Sequence, residues 1–465
     1  MRIKFIGATK TVTGSMHYLE INNTKILLDC GLYQGKRKDY FDINARFDFF
    51  NPQEIDYLIV SHSHIDHIGN IPNLVKQGFS GRIICTPPTK DLGKVMLLDS
   101  GHIQEKDVEF VNKRRKKKGE PPLEPLYTQK DSEKTFPLFE SIKLYETIEL
   151  DENVELTFYN AGHILGSAIT QLKIKSNGKT INLTFTGDLG RPNLPIIKAP
   201  DIIETPDILI SEATYGARLH QTILDTKHIL TERIFYALKR NGKILIPAFS
   251  ESRTQQLILL FHEIFDLYNF KIPIYIDSPL AIALTKIYQN HSEEYDEETF
   301  QYIKEGKNPF KFEYVHFTES VEESKALNNL REPAIIISAS GMCETGRILH
   351  HLANNIENPN NQILIVGYNA KHTLGRRIAD GEKVVKIFGE EYNVKAKVTV
   401  LDSLSAHADQ KELLDYYQNF HRKKLNNIFL VHGEEDELNT FAKLLKQKDF
   451  NHINIPERGN VFEIS

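Results

Sequence analysis

Ser61-His62-Ser63-His64-Ile65-Asp66-His67 decides how this chain is read, and it follows directly on the apolar run Tyr57–Val60. That run has the make-up of a short buried strand, and polar residues just past a strand end are where loops build sites. His62, His64, Asp66 and His67 are four metal-ligand side chains within six residues. In a tight turn His62 and His64 point to one side. Asp66 and His67 fall where a helix begins and point to the other. The spacing therefore suits two adjacent cations better than one. The bland alternative is a solvated histidine cluster. Chance places such a pattern on the order of once per thousand chains of this length, so metal binding is the better reading.

Working outward, further candidate ligands stand at strand ends. Ala161-Gly162-His163 follows Val154–Tyr159, Thr186-Gly187-Asp188 follows Ile181–Phe185, and Asp29 closes Lys25–Leu28. Taken singly, each is more often a turn residue or a satisfied polar group. Beside the first cluster they become three imidazoles for one ion (His62, His64, His163) and the start of a second site (Asp66, His67). Asp188 is a carboxylate able to bridge both. Two cations ~3.5–4 Å apart that share a hydroxide are a recurring device for in-line attack on phosphate esters. Asp29 would then orient a ligand from behind.

The rest of the chain supplies the frame. Up to about residue 200, short β-rich runs (Ile3–Gly7, His17–Ile21, Lys25–Asp29, Tyr57–Val60, Arg82–Cys85, Val154–Tyr159, Ile169–Ile174, Ile181–Phe185) are interrupted by one helical stretch near Lys90–Gln104 and a Pro-rich break at Gly119–Thr128. From Asp207 strands and helices alternate, as in a parallel sheet covered on both faces. The strands are Ile208–Ser211, Lys243–Ile246, Ile274–Asp277 and Ala334–Ile337. Val398–Leu401, Ile428–Val431 and two helices from Gln410 and Glu435 close the chain. With 465 residues, 40% apolar and 26% charged, a disordered or low-complexity protein is excluded. No apolar run approaches the ~18 residues of a membrane span, and the N-terminal stretch is too short for a signal peptide. Three cysteines imply no disulfide framework, so a cytoplasmic protein is expected. The net charge of −5 argues against blanket binding to nucleic acid, although Lys113–Lys118 (KRRKKK) puts six positive charges in a row. A solvated helix face is the default reading of that run, and an RNA-backbone contact is its rival. Trp is absent, so base stacking falls to Tyr and Phe.

Asp29, His62-x-His64-x-Asp66-His67, His163 and Asp188 together resemble the ordered motifs of the metallo-β-lactamase fold. Ser211-Glu212-Ala213-Thr214-Tyr215-Gly216, Ser405-Ala406-His407-Ala408-Asp409 and Val431-His432-Gly433-Glu434 resemble the further motifs of the β-CASP nucleases. That branch includes RNase J and the endonuclease subunit of the cleavage and polyadenylation factor. The resemblance implies an α/β protein: a metallo-β-lactamase αβ/βα sandwich (1–205 and 381–465) with an inserted β-CASP domain (206–380), a parallel sheet flanked by helices. It also implies one zinc on His62, His64, His163 and Asp188, and a second on Asp66, His67, Asp188 and His432. It implies further that the catalytic set is Asp66, Asp29, Glu212 and His407, with His407 facing the scissile phosphate and Glu212 bonded to its far nitrogen. The chemistry agrees, because a departing 3′-oxygen needs a proton and an imidazole backed by a carboxylate can supply it.

Ser/Gly loops running into helices expose backbone N–H groups to phosphate, and paired arginines add planar donors. Ser250, Arg253, Ser338, Ser340, Gly341, Arg376 and Arg377 are the RNA or phosphate candidates on that ground and on resemblance to β-CASP cleft segments. Gly341–Gly346 lacks the Gly-Lys-Ser/Thr ending of a P-loop.

The expected function is a two-zinc ribonuclease, with manganese as the alternative ion. A shared hydroxide attacks phosphorus and leaves a 5′-phosphate and a 3′-hydroxyl. An endonuclease is favoured, since the chain ends 33 residues after His432, short of RNase J's extra domain. The alternatives are a 5′-exoribonuclease, a DNA nuclease, a small-molecule di-zinc hydrolase and a ligand-less scaffold. Against the hydrolase stand the long insertion and the Glu212/His407 pair. Against DNA stands His432, where DNA-directed relatives usually carry Val. Expected partners are RNA and, as an open option, a second copy of the chain, with no membrane.

Overall fold

The computed structural model describes every residue except 36, 177, 368, 371 and 465. The chain divides into two compact units, 1–192 with 199–219 and 407–465, and 193–198 with 220–406.

The first unit holds two seven-stranded sheets. One runs Val461–Glu463, Arg2–Gly7, Met16–Ile21, Thr24–Leu28, Tyr57–Ile59, Arg82–Cys85, Phe139–Ser141 across its width. The other runs Ile453–Asn454, Asn427–Val431, Ile208–Glu212, Lys179–Phe185, Ala168–Ser176, Val154–Asn160, Thr147–Asp151. Strand side chains alternate between faces, so Val154, Leu156 and Phe158 point inward with Leu172, Ile174, Leu183 and Phe185. They meet Ile3, Phe5, Leu19, Ile26, Leu28 and Ile59 of the opposite sheet in one cluster, where Phe5 lies 4.8 Å from Phe429. Each such buried side chain contributes about 1.5–3 kcal/mol. The alternate residues face outward under helices. Leu27, Leu58, Val60 and Ile83 pack with Ile68, Ile71, Leu74 and Leu97. Leu209, Ile428 and Leu430 pack with Leu413, Tyr417, Leu438 and Phe441. Helix, sheet, sheet, helix is the αβ/βα sandwich.

The second unit is built on a six-stranded parallel sheet, ordered Val315–Phe317, Ile274–Asp277, Ala334–Ser338, Lys243–Pro247, Gln362–Val366, Lys397–Leu401. Its central strands are buried along their whole length, which is why Ile335-Ile336-Ile337 and Ile363-Leu364-Ile365 read as unbroken apolar runs.

Both expected boundaries need correction. Ile208–Glu212 pairs with Lys179–Phe185 and Asn427–Val431, so the insertion begins at residue 220 rather than 206, apart from the short segment 193–198. Lys397–Leu401 pairs with Gln362–Val366, so the insertion runs to 406 rather than 380. Hydrogen-bond partners assign a strand to its sheet, and its own sequence does not carry them. The helix expected near Lys90–Gln104 extends over Pro87–Lys117 and takes in most of the basic run.

Candidate metal centre

The site gathers at strand ends of the first unit. Parallel register sets Leu28 beside Ile59, and Asp29 N–H continues it by donating to Ile59 O. Asp29 therefore lies next to Ser61. In the other sheet Glu212 is opposite Val431, Ala213 N–H donates to Val431 O, and His432 follows at once. Asp29 (φ +57°) and His432 (φ +49°) both take the left-handed backbone region, where a non-glycine residue needs surrounding structure to hold it. Gly31 has backbone so close to the Asp66 carbonyl that an added Cβ would lie 1.6 Å from that oxygen. His64 occupies the position just before the short helix Ile65–Ile68, so Asp66 and His67 stand in its first turn.

Three imidazole nitrogens converge in one half of the site. His62 Nε2 and His163 Nε2 each lie 3.2 Å from His64 Nδ1. Asp188 Oδ2 is 3.5 Å from His62 Nε2 and 3.6 Å from His163 Nε2. In the other half His67 Nε2 is 3.2 Å from His432 Nε2 and 3.3 Å from Asp188 Oδ2, and Asp66 Oδ2 is 3.6 Å from His432 Nε2. His432 Nδ1 lies 3.4 Å from Asp188 Oδ1. His62, His67 and His163 are at most 1% exposed and Asp188 2%.

These donors fit divalent ions. Nitrogen and oxygen ligands at ~2.0–2.1 Å around a tetrahedral ion lie about 3.3–3.4 Å from one another, which is the spacing seen here. Burial pushes His62 well below its usual value and His64 to about 4, so both are neutral, the ligating form. Neutral rings that turn lone pairs toward a common point call for a cation there. Burial disfavours a charged His67, yet Asp188 and Asp29 hold it well above the usual range. A divalent ion would stand where that proton does. Asp188 Oδ1 is buried and, among the described residues, has no hydrogen-bond partner.

Supporting contacts set the tautomers. His67 Nδ1 donates to Asp29 Oδ2 at 2.7 Å, since a carboxylate only accepts, and this leaves Nε2 as a donor to metal. Asp29 also accepts from Ser61 N–H (2.8 Å), Ser61 Oγ (3.0 Å) and Ser15 Oγ (3.0 Å). His407 Nδ1 lies 3.2 Å from each oxygen of the fully buried Glu212, so it too carries its proton there. Glu212 further accepts Leu189 N–H at 2.5 Å and Thr214 N–H at 3.3 Å, which ties the backbone beside Asp188 to the same carboxylate. Burial opposes a charged His407, but Glu212 and Asp188 outweigh it and raise it to about 9.

Three family descriptions cover most of the chain. Residues 18–184 match the metallo-β-lactamase superfamily domain, 254–378 the β-CASP domain, and 391–456 the Zn-dependent metallo-hydrolase RNA specificity domain. Ribonuclease TTHA0252 of Thermus thermophilus is 33% identical over 96% of both chains. The chain belongs to the β-CASP ribonucleases. The transcription termination factor FttA of Methanocaldococcus jannaschii is 31% identical over 98% of this chain and 71% of that one. A protein of unknown function from Enterococcus faecalis shares the fold, with TM-score 0.56 and 12% identity over 99% of each chain. This β-CASP ribonuclease is thus a metal-dependent hydrolase of RNA, and among its described residues no helix is long and apolar enough to cross a membrane.

The phosphate candidates all lie in the second unit. Ser250, Ser338, Ser340 and Gly341 sit at the carboxyl end of its parallel sheet, the end where open α/β sheets bind ligands. Gly375 N–H donates to Met342 O and brings Leu374–Ala379 alongside. Arg253 is buried and donates to Gln256 Oε1, Ser250 Oγ is 3.1 Å from Ser278 Oγ, and Ser338 Oγ donates to Asp277 O. Arg376 and Arg377 pair with Asp380 and Glu382. Sequence reasoning missed Ser15 and Thr214, whose Oγ1 is 3.1 Å from His432 Nδ1. Thr214 lies within the motif Ser211–Gly216, whereas Ser15 carries no local signal.

Proposed function

We propose that the protein cuts RNA internally at a two-metal centre. His62, His64, His163 and Asp188 hold one ion, Asp66, His67, Asp188 and His432 hold the other, and His407 is the general acid. The observation that carries this reading is the convergence of five imidazoles and Asp188 at 3.2–3.6 Å spacing. Two divalent ions supply, when bound, a strongly acidified water and charge neutralisation at the phosphate. Zinc is favoured by the imidazole-rich donor set.

The chain's own residues do the rest. Asp29 fixes His67 through Nδ1, and Glu212 does the same for His407, so His407 Nε2–H is the proton to be given. As the water oxygen bonds to phosphorus and gives up a proton to solvent, the bond to the 3′-oxygen breaks, and that oxygen takes the His407 proton. The products are a 5′-phosphate and a 3′-hydroxyl, and His407 recovers its proton from solvent. Similarity to transcription termination factors favours RNA still attached to its polymerase as a substrate. Three buried free cysteines suit a reducing compartment, so we place the protein in the cytoplasm.

The test is to incubate metal-loaded protein with an internally structured RNA labelled at either end. Internal fragments from both labels in the first turnover are expected. Mononucleotides released stepwise from the 5′ label would overturn the internal mode.

A further inference from the structure

The long helix Pro87–Lys117 links the metal centre to the basic run. At its start Thr86 Oγ1 and Thr89 Oγ1 donate to Gly166 O at 2.6 and 2.9 Å, on the loop that carries His163. A helix rises ~1.5 Å per residue, so Lys113–Lys117 lies about 36–42 Å from that anchor. There Lys113, Arg114, Lys116, Lys117 and Lys118 are exposed, and among the described residues none of them makes an ion pair. Arg115 is the exception, held by Glu120 at 3.0 Å and donating to Pro121 O. Asn112 clasps the backbone of Leu123 in both directions, so the following loop is folded back onto the helix. The Arg114 guanidinium lies 4.6 Å over the ring of Phe110, which is 55% exposed.

Cations at a helix C-terminus gain from its dipole, which favours charge in the last turn. Six in a row go beyond that. Lys113 meets Lys116 and Lys117 at i+3 and i+4, and Arg114 meets Lys117 and Lys118, so the cluster repels itself. A polyanion would relieve that repulsion, and the stacked Arg114–Phe110 pair offers a base a flat face. We propose that this helix end is an exosite for the RNA substrate, gripping the strand remote from the cut. The proposal rests on RNA being the substrate. At ~3.4 Å per stacked nucleotide the separation corresponds to about 11–12 nucleotides.

The test replaces Lys113, Arg114, Lys116, Lys117 and Lys118 with Gln, which keeps helix propensity. Metal-loaded wild type and variant are compared on RNAs of about 40 and about 6 nucleotides, only the longer of which can span the distance. Equilibrium binding of the longer RNA across salt is measured in parallel. Each lost contact should flatten the salt slope by ~0.7, so between 50 and 200 mM salt wild-type affinity for the long RNA should fall about 100-fold more than the variant's. The ratio of variant to wild-type kcat/KM should drop on the long RNA and stay near one on the short. A version with Arg at the four lysines should keep the wild-type slope, whatever the Gln variant's stability. An unchanged slope overturns the exosite and leaves the run to a protein partner or to solvent. An equal loss on both lengths overturns it too. If wild type cleaves neither RNA, the ribonuclease reading fails, while the binding slope still decides the exosite.

Discussion

Asp29→Asn tests whether one buried carboxylate decides which nitrogen of His67 faces the metal. Asn is nearly isosteric and tolerates the left-handed backbone that Asp29 adopts. Oδ1 accepts Ser61 N–H at 2.8 Å, so the amide must keep its oxygen there. Its NH2 then takes the Oδ2 position, 2.7 Å from His67 Nδ1 and 3.0 Å from the hydroxyls of Ser15 and Ser61. The hydroxyls can turn to accept. His67 Nδ1 must also accept, which moves its proton to Nε2, the atom that faces Asp188 and His432. The ring can then bind metal only in a disfavoured tautomer. Loss of such an orienting partner costs 10–100-fold in metal affinity, or about 1.4–2.8 kcal/mol. The assay is competition with a chelator of known affinity, with metal-free thermal unfolding as the control for the fold. One ion should weaken by that factor and the other should hold. Wild-type affinity for both ions, with unaltered rate, would refute the tautomer argument. Equal weakening of both would show that Asp29 supports the frame rather than His67.

Three further outcomes follow from the same geometry. His407→Ala should retain both ions by elemental analysis while the rate on ordinary RNA falls by about 10²–10⁴. A substrate with sulfur as the 3′ leaving atom should restore most of that loss, because a thiolate leaves without a proton, and an equal defect with sulfur would remove His407 as the acid. Asp188→Ala should disturb both ions, whereas His432→Ala should weaken chiefly one; a single ion in fully active protein would sink the two-metal reading. In the second unit, Asp277 is fully buried against His351 (2.6 Å), Ser324 (2.5 Å) and Arg347 (2.6 Å). Burial works against its charge, but those three donors hold the carboxyl below the usual range. A depressed carboxyl pKa stabilises the fold above the unfolded value and loses that support as pH falls through the folded one. Asp277→Asn should therefore cost about 3 kcal/mol near pH 7 by denaturant unfolding, and less at acid pH. A difference that stays constant with pH would show that the ionised form of Asp277 is not what counts.

What the sequence determined by itself is local. His62, His64, Asp66 and His67 lie within six residues, and their spacing alone suggests the division between the two proposed ion positions. The period-two apolar pattern of Val154–Asn160 and the unbroken runs Ala334–Ser338 and Gln362–Val366 already separate a half-covered sheet from one covered on both faces. Strand-end position added His163 and Asp188, and the motif resemblance reached further to His407 and His432, though neither carries distances. Tertiary structure decided what depends on partners far along the chain. Register brings Asp29 to Ser61 and sets His432 against His67, 365 residues away. It put Lys397–Leu401 in the inserted sheet, and edge strands such as Val461–Glu463 became visible only through their pairing with Arg2–Lys4. Short edge strands bury little, so they leave almost no hydrophobic signature. A backbone hydrogen bond, which assigns a strand to its sheet, is made by groups that every residue but proline carries alike.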